Sequence, residues 1–249
     1  MQNQLILINE ALREASKFLH RDYFELENLQ SSVKSRRSFV DKAKIRVTEN
    51  LQKSLTKYYK TTIFDSTDLD LAGLDFTGPI ALVDSLDGVY NFERAIPFFA
   101  LVVAILTKKQ EKISAEKVAI NFPILGDIYY AEQGKGSWLE RHSFNFGGGT
   151  LRLRVSVNNK LEDSLVSCNY TQLEVAQKIS TNIRIFESYA YQIALLISGK
   201  SDIALLPSKP ITHGLDLLIR EAGGLSYIKN NIFIASNHQI QEKLQKSLF

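Results

Sequence analysis

Two long segments of helical periodicity stand ahead of all the strand-like sequence in this chain, and that order restricts the fold more than any single residue does. From residue 5 to 29 the apolar positions Ile8, Leu12, Ala15, Leu19 and Tyr23 recur three and four residues apart, as in an amphipathic helix. From about residue 41 to 59 the spacing returns through Ile45, Val47, Leu51, Leu55 and Tyr58. A short apolar run at 80–83 follows, and 98–106, 118–122 and 127–131 read as successive strands. The Gln133-Gly-Lys-Gly136 stretch is a turn before a strand at 137–139. The Gly147-Gly148-Gly149 run is a loop; with no Lys-Ser or Lys-Thr after it, it is not a phosphate loop.

After 151–157 the pattern changes to short strands alternating with helices. Strands are expected at 164–168, 183–186 and 202–206, and helices at 173–179, 189–198 and 214–222, the last ended by Gly223 and Gly224. The chain has 249 residues of which 45% are hydrophobic, enough to bury a large core as one domain or two closely packed ones. A boundary near 147–150 separates residues 1–149, the helices and an antiparallel sheet, from an α/β part at 150–249, the two packing as one compact unit.

The net charge of +3 is spread among acidic residues without forming a field, so neither nucleic acid nor a membrane surface is an expected partner. The densest basic cluster, Lys34 with Arg36 and Arg37, is short. Cys168 is the single cysteine, which excludes an intrachain disulfide and suits a reducing compartment. The longest apolar run, 95–106, is broken by Pro97, and the start MQNQLILINE lacks the features of a signal peptide; a cytoplasmic protein is expected. His20, His142 and His238 show no metal-type pairing, and Trp138 reads as a packing residue.

The chemistry concentrates in V83-D-S-L-D-G-V-Y-N-F92. An apolar strand ending in Asp84, with Asp87 three residues on at a tight turn, can aim two carboxylates and the Leu86 carbonyl into one space, an oxygen-only environment suited to Mg²⁺. The alternative is a solvated Asp-Gly turn.

The longer pattern, V-D-S-L-D-G-V-Y-N-F-E-R-A-I-P-F-F-A-L, resembles the signature of the inositol monophosphatase family. The resemblance continues through Tyr129-Y-A-E-Q-G-K-G-S-W-L139 and Arg220-E-A-G-G224, and in the two leading helices. It implies an α+β fold, a layered α-β-α-β-α sandwich, and Mg²⁺-dependent hydrolysis of the phosphate monoester of a small metabolite such as an inositol or sugar, commonly by a homodimer. In that chemistry carboxylate-held ions bind the phosphate, and a metal-bound water attacks phosphorus in line with the leaving alcohol. Carried over, Asp84, the Leu86 carbonyl and Asp87 are metal ligands, Asp65 takes the place of a glutamate ligand, and Asp65 and Asp87 are the catalytic residues. Gly88, Val89 and Lys34 fall on substrate-side positions.

The departures matter as much. Val89 stands where the resemblance implies a water-orienting threonine, and valine has no hydroxyl. The implied aspartate before the last long helix falls on Ile211 or Thr212, with Asp216 a turn further on. Leu206 replaces a glutamate that touches substrate hydroxyls. In S38-F-V-D-K-A-K44, which the resemblance places as a loop bordering the site, Ser38 and Lys44 replace two aspartates, and Lys44 could supply the charge that a metal otherwise supplies. Three readings stay open: a phosphomonoesterase with an eroded site, an inactive binding or regulatory module, and an interaction protein, since a bacterial member of the family also acts in transcription.

Overall fold

The computed structural model describes residues 4–28, 33–58, 61–67, 69–110, 112–141 and 149–247. Helix α1 (Gln4–Asn28) buries Leu5, Ile8, Leu12, Ala15, Leu19, Tyr23 and Leu26, the stripe its periodicity implies. Helix α2 spans Val33–Tyr58 and so begins well before the expected start near residue 41. The segment expected as a site-bordering loop, 38–44, is therefore helical. No glycine or proline interrupts 33–58, and Val40, Ala43, Val47, Leu51 and Leu55 keep one face buried, so nothing stops the helix earlier. Gly147, Gly148, His142 and the Lys34 side chain lie outside the described residues.

The first sheet contains β1 (Ile63–Asp65), β2 (Ile80–Asp87), β3 (Ala100–Lys109), β4 (Lys112–Phe122), β5 (Asp127–Glu132), β6 (Ser137–Arg141) and β7 (Gly149–Arg152), side by side in chain order. Strands β1 and β2 are parallel; each later neighbour is antiparallel. A short helix, α3 (Val89–Glu93), follows β2 directly. The second sheet is built from β8 (Val166–Cys168), β9 (Ile183–Ile185), β10 (Ile203–Pro207), β11 (Gly224–Lys229) and β12 (Ile232–Asn237) in the spatial order β11-β12-β10-β8-β9. Helices α4 (Leu173–Gln177), α5 (Tyr189–Ile197), α6 (Thr212–Glu221) and α7 (His238–Ser247) complete the second half.

Strands β2 and β3 explain the layering. Their near-continuous apolar runs are buried on both faces. Ala81, Val83, Leu101, Val103 and Ile105 pack against α1 and α2. The alternating set, Ile80, Leu82, Val102, Ala104 and Leu106, faces α5 and α6, which in turn cover the inner face of the second sheet, in one continuous core. The outer face of that sheet, with Val166, Cys168, Ile203, Leu205 and Ile234, is covered by α4 and α7 through Ala176, Ile240 and Leu244. Helices, sheet, helices, sheet, helices form the five-layered α+β sandwich expected.

Candidate functional site

The site grows from an irregularity in β2. Residues three apart in a regular strand point to opposite faces. Here the pairing of β2 with β3 slips: Asp84 lies opposite Val102 and Asp87 opposite Ala100, so β2 carries one extra residue between them. The bulge turns both aspartates toward the face covered by α5 and α6, because their opposite numbers Val102 and Ala100 belong to that face. Parallel pairing of β1, with Asp65 opposite Val83, brings a third carboxylate to the same strand ends.

Gly88 makes the next turn at φ 79°, and a Cβ there would lie 2.9 Å from the Phe98 carbonyl and 3.1 Å from the Ser188 Cβ, so the position is closed to other residues. Asn91 donates from Nδ2 to the same Phe98 carbonyl at 2.7 Å, a structural role. Val89 is the first residue of α3 and packs against the α1–α2 core.

The carboxylates have different surroundings. Asp87 is buried, and both its oxygens are engaged at the start of α5: Oδ1 accepts from the Tyr189 N–H at 3.0 Å, and Oδ2 from the Ala190 N–H at 3.0 Å and from the Ser188 hydroxyl. Ser188 Oγ accepts in turn from the Tyr191 N–H at 3.0 Å. Together they satisfy three donors of the first turn of α5. Half-buried Asp84 accepts from the Leu86 N–H at 3.2 Å through Oδ1. Asp65 accepts from the Thr67 N–H at 2.8 Å.

Burial pushes the Asp87 carboxyl up to about 7, with Asp84 adding to the rise and the Ser188, Tyr189 and Ala190 donors opposing it. Asp84 is raised chiefly by burial; the Leu86 N–H opposes that rise, Asp65 adds to it, and Lys44 and Lys209 oppose it. Lys209, which the sequence reading does not single out, thus acts on Asp84 alongside Lys44.

The remaining positions do not supply further carboxylates. Ile211 is in the core. Buried Thr212 donates its hydroxyl to the Lys209 carbonyl at 2.5 Å. Asp216 accepts from Arg220 Nε at 2.7 Å and from the Ser226 hydroxyl at 2.5 Å. It lines a separate cavity of about 470 Å³ with Lys112, Thr212, His213 and Ser226. Leu206 is fully buried. Among the described residues, no three His, Cys, Asp or Glu side chains are gathered as a metal-holding group. Asp84, Asp87, the Leu86 carbonyl and, on the neighbouring strand, Asp65 are the oxygen donors that would be available to a Mg²⁺ ion here.

Fold and motif together define a layered α/β scaffold with an aspartate pair at a strand bulge. The chain belongs to the inositol monophosphatase family, whose model, described as "Inositol monophosphatase family", matches residues 1–240. It is 29% identical over 265 residues to an inositol-1-monophosphatase of Caulobacter vibrioides, covering 96% of this chain and 98% of that protein. It is 25% identical over 274 residues to the Nus factor SuhB of Haemophilus influenzae, covering 99% and 96%. The crystal structure of the extragenic suppressor protein suhB from Bartonella henselae superposes with a TM-score of 0.77 at 25% identity, covering 100% of this chain and 99% of that one.

Proposed function

We propose that this chain keeps the family scaffold as a binding module and has lost most or all Mg²⁺-dependent hydrolysis of phosphate monoesters. The observation that carries this reading is the state of Asp87: both its oxygens hold the first turn of α5, while Val89, Leu206 and Ile211–Thr212 offer neither a carboxylate nor a free hydroxyl. In-line hydrolysis depends on positioned water and on neutralised phosphate charge, and loss of one member of such a set commonly costs several orders of magnitude in rate. A bound Mg²⁺ would supply Lewis-acid polarisation of the phosphate, and Asp84, Asp87, the Leu86 carbonyl and Asp65 are the groups that would hold it. Similarity along nearly the whole chain to proteins named Nus factor SuhB supports a protein-binding or regulatory role for the scaffold.

A second reading, slow hydrolysis of an inositol or sugar phosphate, draws support from the carboxylates that remain. Asp65 ends β1 opposite Val83, the residue before Asp84 in the parallel strand β2, and acts on Asp84 electrostatically. Phosphate release from a panel of inositol, sugar and nucleoside monophosphates, with Mg²⁺ and with EDTA, separates the two. Beside an active inositol monophosphatase run in parallel, this protein is expected to release phosphate at less than about one-thousandth of its rate. A Mg²⁺-dependent rate within tenfold of that enzyme on any substrate would overturn the loss of hydrolysis.

A further inference from the structure

We propose that the cavity beside Asp216 is a second binding site, lined by neither Asp84 nor Asp87, for a small organic monoanion: one carboxylate on an apolar body the size of a benzene ring. The inference goes beyond the reading above, since it concerns another cavity and holds whether or not the chain hydrolyses phosphate esters.

The walls come from three sides. On α6, His213, Asp216 and Arg220 recur three and four residues apart and share one stripe, while Leu215, Leu218 and Ile219 are turned into the core. On β11, the Ser226 hydroxyl reaches Asp216 at 2.5 Å, so Ser226 and, by alternation, Ile228 face α6, whereas Tyr227 packs in the outer cluster. Phe233 lies opposite Ile228 on β12, and Lys112 with Ile113 at the start of β4 closes the space from the first sheet. The volume of about 470 Å³ is within the range of small-molecule sites.

The polar groups of the lining divide into those already engaged and those that are not. Both oxygens of Asp216 are engaged, by Arg220 Nε at 2.7 Å and by Ser226, and the Thr212 hydroxyl is held by the Lys209 carbonyl at 2.5 Å. Among the described residues, neither the His213 ring nor the Lys112 ammonium makes a hydrogen bond or an ion pair. Because Arg220 offsets Asp216, the lining carries one uncompensated positive charge, that of Lys112. A single carboxylate matches it, whereas a phosphate dianion would bring a second negative charge that no group here meets. Ile113, Ile228 and Phe233 supply the apolar wall. Ile228 is 51% exposed, so covering it with an apolar ring removes hydrophobic surface from water.

The test is binding of three probes of like shape to the full-length protein in EDTA, read by saturation-transfer difference NMR: hydrocinnamate, its amide and the corresponding amine. The expected order is anion tighter than amide and amide tighter than amine, with the anion at a Kd of about 1 mM or below. Lys112→Glu, at an exposed position, is expected to weaken the anion about fivefold or more and to leave the amide within about twofold. Ile228→Trp, which crowds the cavity from its exposed rim, is expected to weaken all three probes, and it carries the test if Lys112→Glu unsettles the β3–β4 hairpin. No binding of the anion at about 10 mM, an amine bound as tightly as the anion, or an anion bound equally by wild type and both variants would overturn the proposal.

Discussion

At the scale of the residue, Asp87 has a structural duty that its place in a metal-binding motif conceals. It accepts three hydrogen bonds at the start of α5 and links β2 to a segment about a hundred residues later in the chain. Asp87→Asn keeps the shape but turns one acceptor into a donor facing N–H and O–H groups. Unfolding by urea in EDTA should show a loss of about 2 kcal/mol. A variant as stable as wild type would mean that the cap contributes nothing. Val89 illustrates the opposite relation: its meaning was visible in the sequence, as a missing hydroxyl, and the structure adds only that the side chain packs toward the α1–α2 core. Ser188 could be read as an N-cap from its place before a helical run, but nothing local indicates that Asp87 reaches it.

At the scale of the element, two motifs far apart in sequence turn out to be one device. The Glu221 carboxylate accepts from the Gly134 N–H through Oε1 and the Gly136 N–H through Oε2, both at 2.7 Å, clamping the β5–β6 turn to the end of α6. Gly134 and Gly136 have φ of 77° and 84°, which explains glycine at both positions. Glu221→Ala should cost about 2 kcal/mol and lower the melting temperature by roughly 4–8 °C. Glu221→Gln, with one accepting oxygen in place of two, should fall between; equal melting of all three proteins would refute the clamp. Elements legible from periodicity, α1, β3, β5, β6, α5 and α6, lie close to their expected places, while β4 begins six residues before the expected 118. The hairpin of β11 and β12 was not assigned, although Asn230-Asn231, both with positive φ, separates two apolar runs and is a turn signal of the two-residue kind. The spacing through Ile45, Val47, Leu51 and Leu55 places the start of α2 near residue 41, whereas the helix runs from Val33 because Val40 and Ala43 extend the buried face and no glycine or proline breaks it.

At the scale of the whole molecule, the layers are held at a spacing that one glycine permits. A Cβ on Gly214, in the first turn of α6, would lie 2.5 Å from the Cβ of Ala104 on β3. Gly214→Ala should therefore cost about 1–3 kcal/mol by overpacking, and Ala104→Gly in the same chain should recover part of it. Additive losses in the double variant would show that the two positions do not touch. By itself the sequence determined the helices ahead of the sheet, the doubly buried strands, the family, and the absence of a hydroxyl at Val89 and of a carboxylate at Ile211 and Thr212, because periodicity and side-chain chemistry are local properties. Tertiary structure alone decided that a bulge points Asp84 and Asp87 to one face, that α5 engages Asp87, that Asp216 faces another cavity, and that the Lys209 ammonium stands over the Tyr189 ring. Each of these depends on contacts between residues distant in the chain, and such contacts are set by how layers pack, which no short stretch of sequence encodes.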